Sequence, residues 1–239
     1  MSTKKKHVVF DIVGTCVSFD AYYDCIDQVL GARLRQHCIT PKHFGFTWQT
    51  LAELEFTFLS ISERHKPYQS VLRSMFYRSL WFAGITDPRS FATEEECERC
   101  VQGYSSLQLR PGCFESFQIL RDAGFTVWCF TTGDIQRVRG YFERAGVHMP
   151  LENFISCDST GVVKPHPASY RSVLDKLGVD DEKWFAAAHM WDVSAAVKAG
   201  FQGAYCTIYE KEPCLEMAGV DMRVIADTLP KMAQGIVGA

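Results

Sequence analysis

A chain of 239 residues, 47% hydrophobic and 22% charged, is long and apolar enough to bury a large core, which excludes a disordered or fibrous polypeptide. Its formal net charge of -3, with acids and bases interspersed apart from Lys4-Lys5-Lys6, excludes the basic footprint that nucleic acid or an anionic membrane requires. No apolar run approaches the length a bilayer demands and no apolar leader stands at the N-terminus, so a soluble, cytoplasmic protein is expected.

The first element is the run His7 to Phe10, β-branched and aromatic, closing on Asp11-Ile12-Val13-Gly14-Thr15. It predicts a buried strand, with Gly14 letting the backbone turn tightly enough to leave Asp11 at the strand's C-terminal edge, where open α/β sheets bind ligands. A carboxylate held there among backbone N–H groups stays ionised and can act as a nucleophile. An Asp after a strand also serves as an N-cap, and D-x-x-G-T alone does not separate the two.

Residues 20–105 contain no convincing strand. Phe19, Tyr22, Tyr23, Ile26, Val29 and Leu30 recur at helical spacing up to a break expected near Gly31. A second helix is predicted from Phe44 through Trp48, Leu51, Glu55, Phe58 and Leu59, a third from Pro67 to near Gly84, and a weaker fourth over 94–102. An all-helical insert directly after a strand that carries a nucleophile reads as a lid. From Arg110 onward, helix and strand alternate. A helix over 113–123 stops at Gly124, a strand over 125–130 ends in Thr131-Thr132-Gly133-Asp134, and a helix through Val138, Tyr141 and Phe142 follows. Further strands are predicted over 154–157, 184–188, 204–207 and 223–225, with helices over 195–199 and 228–236. Such alternation calls for a doubly wound parallel sheet.

The ten cysteines are scattered through apolar segments and read as small buried hydrophobes of a reducing compartment. Cys97 and Cys100 have ligand-like spacing, but a single C-x-x-C without a second pair or nearby histidines gives little reason to expect zinc.

Four features fall at the ends of predicted strands: Asp11 with Thr15, Thr131-Thr132-Gly133, Lys164-Pro165, and His189-Met190-Trp191-Asp192. Each has a chemical reading. Lys164 supplies the positive charge that keeps a carboxylate nucleophile ionised, and Thr131 with the N–H groups after it holds an anionic group. Asp192 takes a proton from water or holds Lys164 in place. Each also has a plain reading, as a surface lysine or a helix cap.

As an ordered set the four features resemble the haloacid dehalogenase superfamily of hydrolases. The resemblance implies a Rossmann-like α/β core over 1–16 and 106–239, with a helical C1-type cap inserted over 17–105. Phosphatases of that superfamily carry a second Asp two positions after the nucleophile and an acid four residues before the last motif's Asp; here those positions are Val13 and Ala188. Losing both removes the general acid and much of a magnesium site, so no metal and no cofactor is expected.

What remains is similar to the (S)-2-haloacid dehalogenase branch, whose fourth motif carries Asn or His before x-W-D. The resemblance implies that Asp11 displaces halide and forms an ester, and that the Ile12 and Thr132 N–H groups with the Thr131 hydroxyl bind the substrate carboxylate. Thr15, Lys164, Tyr170, His189 and Asp192 then orient the nucleophile and assist ester hydrolysis, and Trp48 of the cap contacts substrate. The substrate class is a small organic acid, with no nucleic-acid or membrane partner, and the family carries an expectation of a homodimer. One departure weakens the specific activity: aligning the helix around Trp48 leaves Gln49 or Thr50 where the branch has a halide-binding arginine. Three other readings stay open. A hydrolase resembling cis-epoxysuccinate hydrolase also uses the H-x-W-D form, with His189 or Tyr170 as proton donor. The others are a phosphatase of the superfamily and a binding protein that kept the fold and lost turnover.

Overall fold

In the computed structural model, which describes residues 4–158 and 160–239, the first apolar run forms strand β1 (Lys6–Asp11), solvent-exposed only at Lys6. After the short β2 (Val17–Ser18), the chain makes five helices: α1 (Asp20–Gln36), α2 (Pro41–Ile61), α3 (Tyr68–Phe82), α4 (Pro88–Phe91) and α5 (Glu94–Tyr104). It returns through β3 (Gln108–Leu109), which pairs with β2. Then come α6 (Cys113–Asp122), β4 (Phe125–Thr131), α7 (Ile135–Arg144), β5 (Phe154–Ser156) and α8 (Pro167–Leu174). The chain closes with β6 (Glu182–Ala187), α9 (Met190–Ala199), β7 (Gln202–Cys206), β8 (Val224–Ala226) and α10 (Leu229–Gly238).

Two compact units result, one of residues 1–18 and 109–239 and one of 19–108. The boundaries that the resemblance implies fall a few residues earlier at each crossing. The first unit is a six-stranded parallel sheet in the order β5-β4-β1-β6-β7-β8, an α/β fold of the doubly wound kind. The chain winds from β1 to β4 and β5 on one side, then returns to lay β6 on β1's other side. The strand order therefore reverses at β1, and the crevice at a reversal is where such sheets bind ligands. Asp11 pairs in register with Phe130, so the C-terminal ends of β1, β4 and β6 meet at one edge.

The helical unit is held by an aromatic core. Trp48 lies 4.9 Å from Phe76 between ring centroids, 5.8 Å from Tyr22 and 5.8 Å from Phe44. Helix α5 starts on a capping box, Thr93 and Glu96 each accepting the other's backbone N–H. Contrary to the expected break, α1 runs through Gly31. The missing side chain there makes room for an ion pair from Asp27 to Arg35 (2.6 Å) laid across the glycine, where a Cβ would meet the Asp27 carboxylate. Among the described residues no helix is long and apolar enough to cross a membrane. All ten cysteines are free; burial raises the Cys157 thiol to about 11 and that of Cys97 to about 12.

Candidate active site

The backbone turns back as soon as β1 ends. Gly14 takes φ +90°, which a residue with a Cβ resists, and its N–H donates to Val17 O (3.0 Å). The N–H groups of Cys16 and Val17 both donate to Ile12 O, at 2.8 and 3.0 Å. This loop brings Thr15 over the carboxylate: its hydroxyl donates to Asp11 Oδ2 (2.7 Å) and accepts the Ala188 N–H (2.8 Å), tying the ends of β1 and β6 together.

Lys164 arrives from the loop between β5 and α8, only 4% exposed. Its ammonium donates to Asp11 Oδ1 at 2.7 Å and to Asp192 Oδ2 at 2.6 Å. Asp192 lies in the first turn of α9, fully buried, and its second oxygen accepts the Tyr170 hydroxyl at 2.6 Å. Both Asp192 oxygens are thus engaged, and of its two sequence readings the geometry favours the one that holds Lys164. The rings of Phe130 and Phe185 lie 5.1 and 5.7 Å from the ammonium and supply apolar walls.

Burial alone would raise the Asp11 pKa, but Lys164 and then His189 outweigh it, and the net shift is well downward. Burial likewise opposes charge on Lys164, yet the two carboxylates prevail and raise its pKa. Asp192 shifts upward because burial and the neighbouring Asp11 charge exceed the help from Lys164. Tyr170 is pushed far up, by burial first and Asp192 second, so it stays a hydrogen-bond donor. The cluster therefore holds an ionised Asp11 locked by a permanently charged lysine.

His189, the residue before α9, places Nδ1 3.3 Å from Asp11 Oδ2. Its ring neighbours are Trp191 and Tyr209, at 5.6 and 5.0 Å between centroids. Thr131 ends β4, is buried, and its oxygen accepts the Gly133 N–H (3.1 Å). Thr132 is half-buried in the following turn, Ile12 follows Asp11 directly and is buried, and Asp134 caps α7 by accepting the Arg137 N–H (2.7 Å).

One expectation is corrected. Trp48 is fully buried in the helical unit and its indole N–H is given to Leu72 O at 2.8 Å, so it is a core side chain and not a substrate contact. The adjacent Gln49 is buried too, accepting the Tyr23 hydroxyl at 3.3 Å; the half-buried Thr50 is more exposed.

Three neighbours of the site were missed in the sequence. Tyr209 packs on His189, and Glu210 accepts the Met190 N–H (2.9 Å) at the start of α9 and the Tyr205 hydroxyl (2.8 Å). Arg110 donates twice to Gly14 O, at 3.2 and 3.0 Å, bracing the turn after Asp11. Tyr209 and Glu210 come from a loop without periodicity, and Arg110 read only as the approach to α6. The short interval from Tyr205 to Glu210 after a strand was the one available signal.

A parallel sheet that reverses at β1 thus brings an ionised carboxylate and a buried lysine together at the reversal. The family model of the haloacid dehalogenase-like hydrolases matches residues 5–200, and the chain belongs to that family. Among curated proteins it is 29% identical to (S)-2-haloacid dehalogenase 1 of Pseudomonas sp. (strain CBS-3), over 80% of this chain and 83% of that one. It is 27% identical to haloacetate dehalogenase H-2 of Moraxella sp. (strain B), over 86% and 87%. The match to (S)-2-haloacid dehalogenase 4A of Burkholderia cepacia is 25% identical and spans 59% of this chain and 63% of that enzyme's length. Among solved structures, the L-2-haloacid dehalogenase of Xanthobacter autotrophicus superposes with TM-score 0.74 at 20% identity, covering 98% of this chain and 99% of that one. At that identity the likeness concerns the fold.

Proposed function

We propose that the chain is a metal-independent hydrolytic dehalogenase of small (S)-2-halo carboxylic acids that works through an ester on Asp11. The observation that carries this reading is the Asp11 carboxylate, bonded by Lys164, Thr15 and His189 at one strand edge and shifted towards its ionised form. The named relatives that act on 2-halo acids supply the substrate class. In the first step an Asp11 oxygen attacks the α-carbon in line with the halide. A C–O bond forms as the C–halogen pair leaves with the halide, and the carbon inverts once. In the second step water adds to the Asp11 carboxyl carbon and expels the 2-hydroxy acid, returning Asp11 to a carboxylate with release of a proton. Lys164 stabilises charge on the Asp11 carboxyl group throughout, and His189, beside the same group, is placed to take the water's proton. Asp192 and Tyr170 position Lys164.

Phosphoryl transfer fits this donor set poorly. Val13 and Ala188 offer no side-chain oxygen, and the Lys164 ammonium lies between the two carboxylates that a hard cation would share. An epoxide-opening reaction of the cis-epoxysuccinate type is the second reading, favoured by one observation: His189 sits 3.3 Å from Asp11 and can deliver a proton to an opening oxygen. In both reactions the product oxygen comes first from Asp11. A single turnover in ¹⁸O-labelled water, with enzyme in excess over 2-chloropropionate, is expected to leave the label on the Asp11 peptide and unlabelled oxygen in lactate. Label passing straight into product would refute covalent catalysis and leave the family standing.

A further inference from the structure

The site as described presents two carboxylates to one ammonium, so an incoming organic acid meets a net negative charge unless another cation receives it. The position aligned with the family's halide-binding arginine offers none, since Gln49 is a buried amide of the helical core and Thr50 is uncharged. A cation does stand beside the β4 turn. Arg137, in the first turn of α7, directs its guanidinium back over Gly133: a Cβ placed on that glycine would collide with Arg137 Nη2 and lie 3.7 Å from Thr131 Oγ1. The space that a side chain would fill at Gly133 is thus taken by the guanidinium, with the Thr131 hydroxyl at its edge.

Two further contacts fix this arrangement. Arg137 Nη1 donates to the hydroxyl of the buried Tyr141 at 2.5 Å, one helical turn on, so the guanidinium is anchored on the side away from Gly133. Thr131 accepts the Gly133 N–H through its hydroxyl oxygen, and its hydroxyl proton has no acceptor among the described residues. A guanidinium, a hydroxyl donor and the N–H groups of a strand-end turn together suit a carboxylate, the planar anion that arginine binds best.

We propose that Arg137 is a specificity-determining residue: its guanidinium, held over Gly133 by Tyr141, takes the substrate's carboxylate with Thr131 and selects organic acids over neutral analogues of the same shape. The inference rests on Asp11 as the nucleophile and the Thr131 turn as the anion pocket. The sequence shows only a polar residue three positions after Asp134, at a place where any exposed helical face would carry one.

The test compares 2-bromopropionate with 2-bromopropionamide in wild type, Arg137→Met and Arg137→Lys. Arg137→Met is expected to lower kcat/KM for the acid by about ten-fold or more, through KM, and to leave the amide within about two-fold. Arg137→Lys should fall between, because charge is kept and the paired geometry lost. Equal losses for acid and amide, or no loss, would overturn the proposal; the ratio also separates recognition from structural damage, which lowers both alike. Calorimetric binding of propionate against propionamide is read on the same proteins without turnover. If wild type prefers propionate, Arg137→Met loses that preference and Arg137→Lys weakens it while no 2-halo acid is hydrolysed, the dehalogenase reading fails and the role of Arg137 stands. No preference in wild type, or a preference unchanged in Arg137→Met, overturns the role whatever the reaction.

Discussion

Asp11 is ionised against its own burial, and Lys164 is the largest influence that makes it so. Lys164→Met, which keeps the stem and removes the charge, is expected to raise the Asp11 pKa and to cost at least about 100-fold in kcat/KM. The acidic limb of its pH profile should move upward from that of wild type, where Asp11 sets no limb near neutrality. The same shift acts on stability with a definite sign. A carboxylate whose folded pKa is depressed stabilises the fold fully above its unfolded value, about 3.9, and that contribution is lost as pH falls towards the folded value. Urea unfolding near neutral pH should therefore show a less stable Lys164→Met, while the loss of stability that Asp11 contributes on acidification below about pH 4 should be weaker than in wild type. Asp11, Thr131 and the His189–Asp192 group were legible because each follows a short apolar run that ends in a strand, and strand ends are where a parallel sheet collects chemistry; Lys164 lies in a loop beyond β5 and stood out only as a member of the ordered set. Trp48 was misread because helical spacing marks an apolar face without saying whether it meets a core or a ligand.

At the scale of elements, α9 carries His189 at its threshold and Asp192 in its first turn, so its N-terminus fixes both. That end has no cap from His189 itself; Glu210 supplies the acceptor from the loop after β7. Glu210→Ala leaves the Met190 N–H and the Tyr205 hydroxyl without this partner and is expected to cost about 1–3 kcal/mol in urea unfolding. It should also lower kcat more than KM, because Lys164 and His189 both depend on where α9 begins. An unchanged midpoint would show that solvent replaces Glu210. Such loop contributions escape a reading by periodicity: 207–222 alternates nothing, and only the folded chain shows which of its side chains turns inward. Gly31 is the converse case, a residue whose usual meaning in a helix was overridden by an ion pair placed across it.

For the molecule as a whole, the family places it among hydrolases, and the donor set decides between branches of the chemistry. With apolar side chains at Val13 and Ala188, turnover of 2-halo acids is expected to survive prolonged EDTA treatment, and phosphate esters to be poor substrates with or without Mg²⁺. Phosphate release restored by Mg²⁺ at about 1 per second or faster would reverse that conclusion. The sheet's strand order has a consequence of another kind, in the order of assembly. β1 lies in the middle of the sheet, yet its neighbours are Phe125–Thr131 and Glu182–Ala187, far along the chain. During synthesis the strand that bears Asp11 leaves the ribosome before both of its partners and gains the second of them only when β6 has been made, after a delay on the order of ten seconds. The helical unit, continuous over 19–108, is complete well before that. Asp11 thus gains its bonds to Lys164 and His189 only once β6 and the residue before α9 have been made, and a chain interrupted before Lys164 carries the carboxylate without either partner.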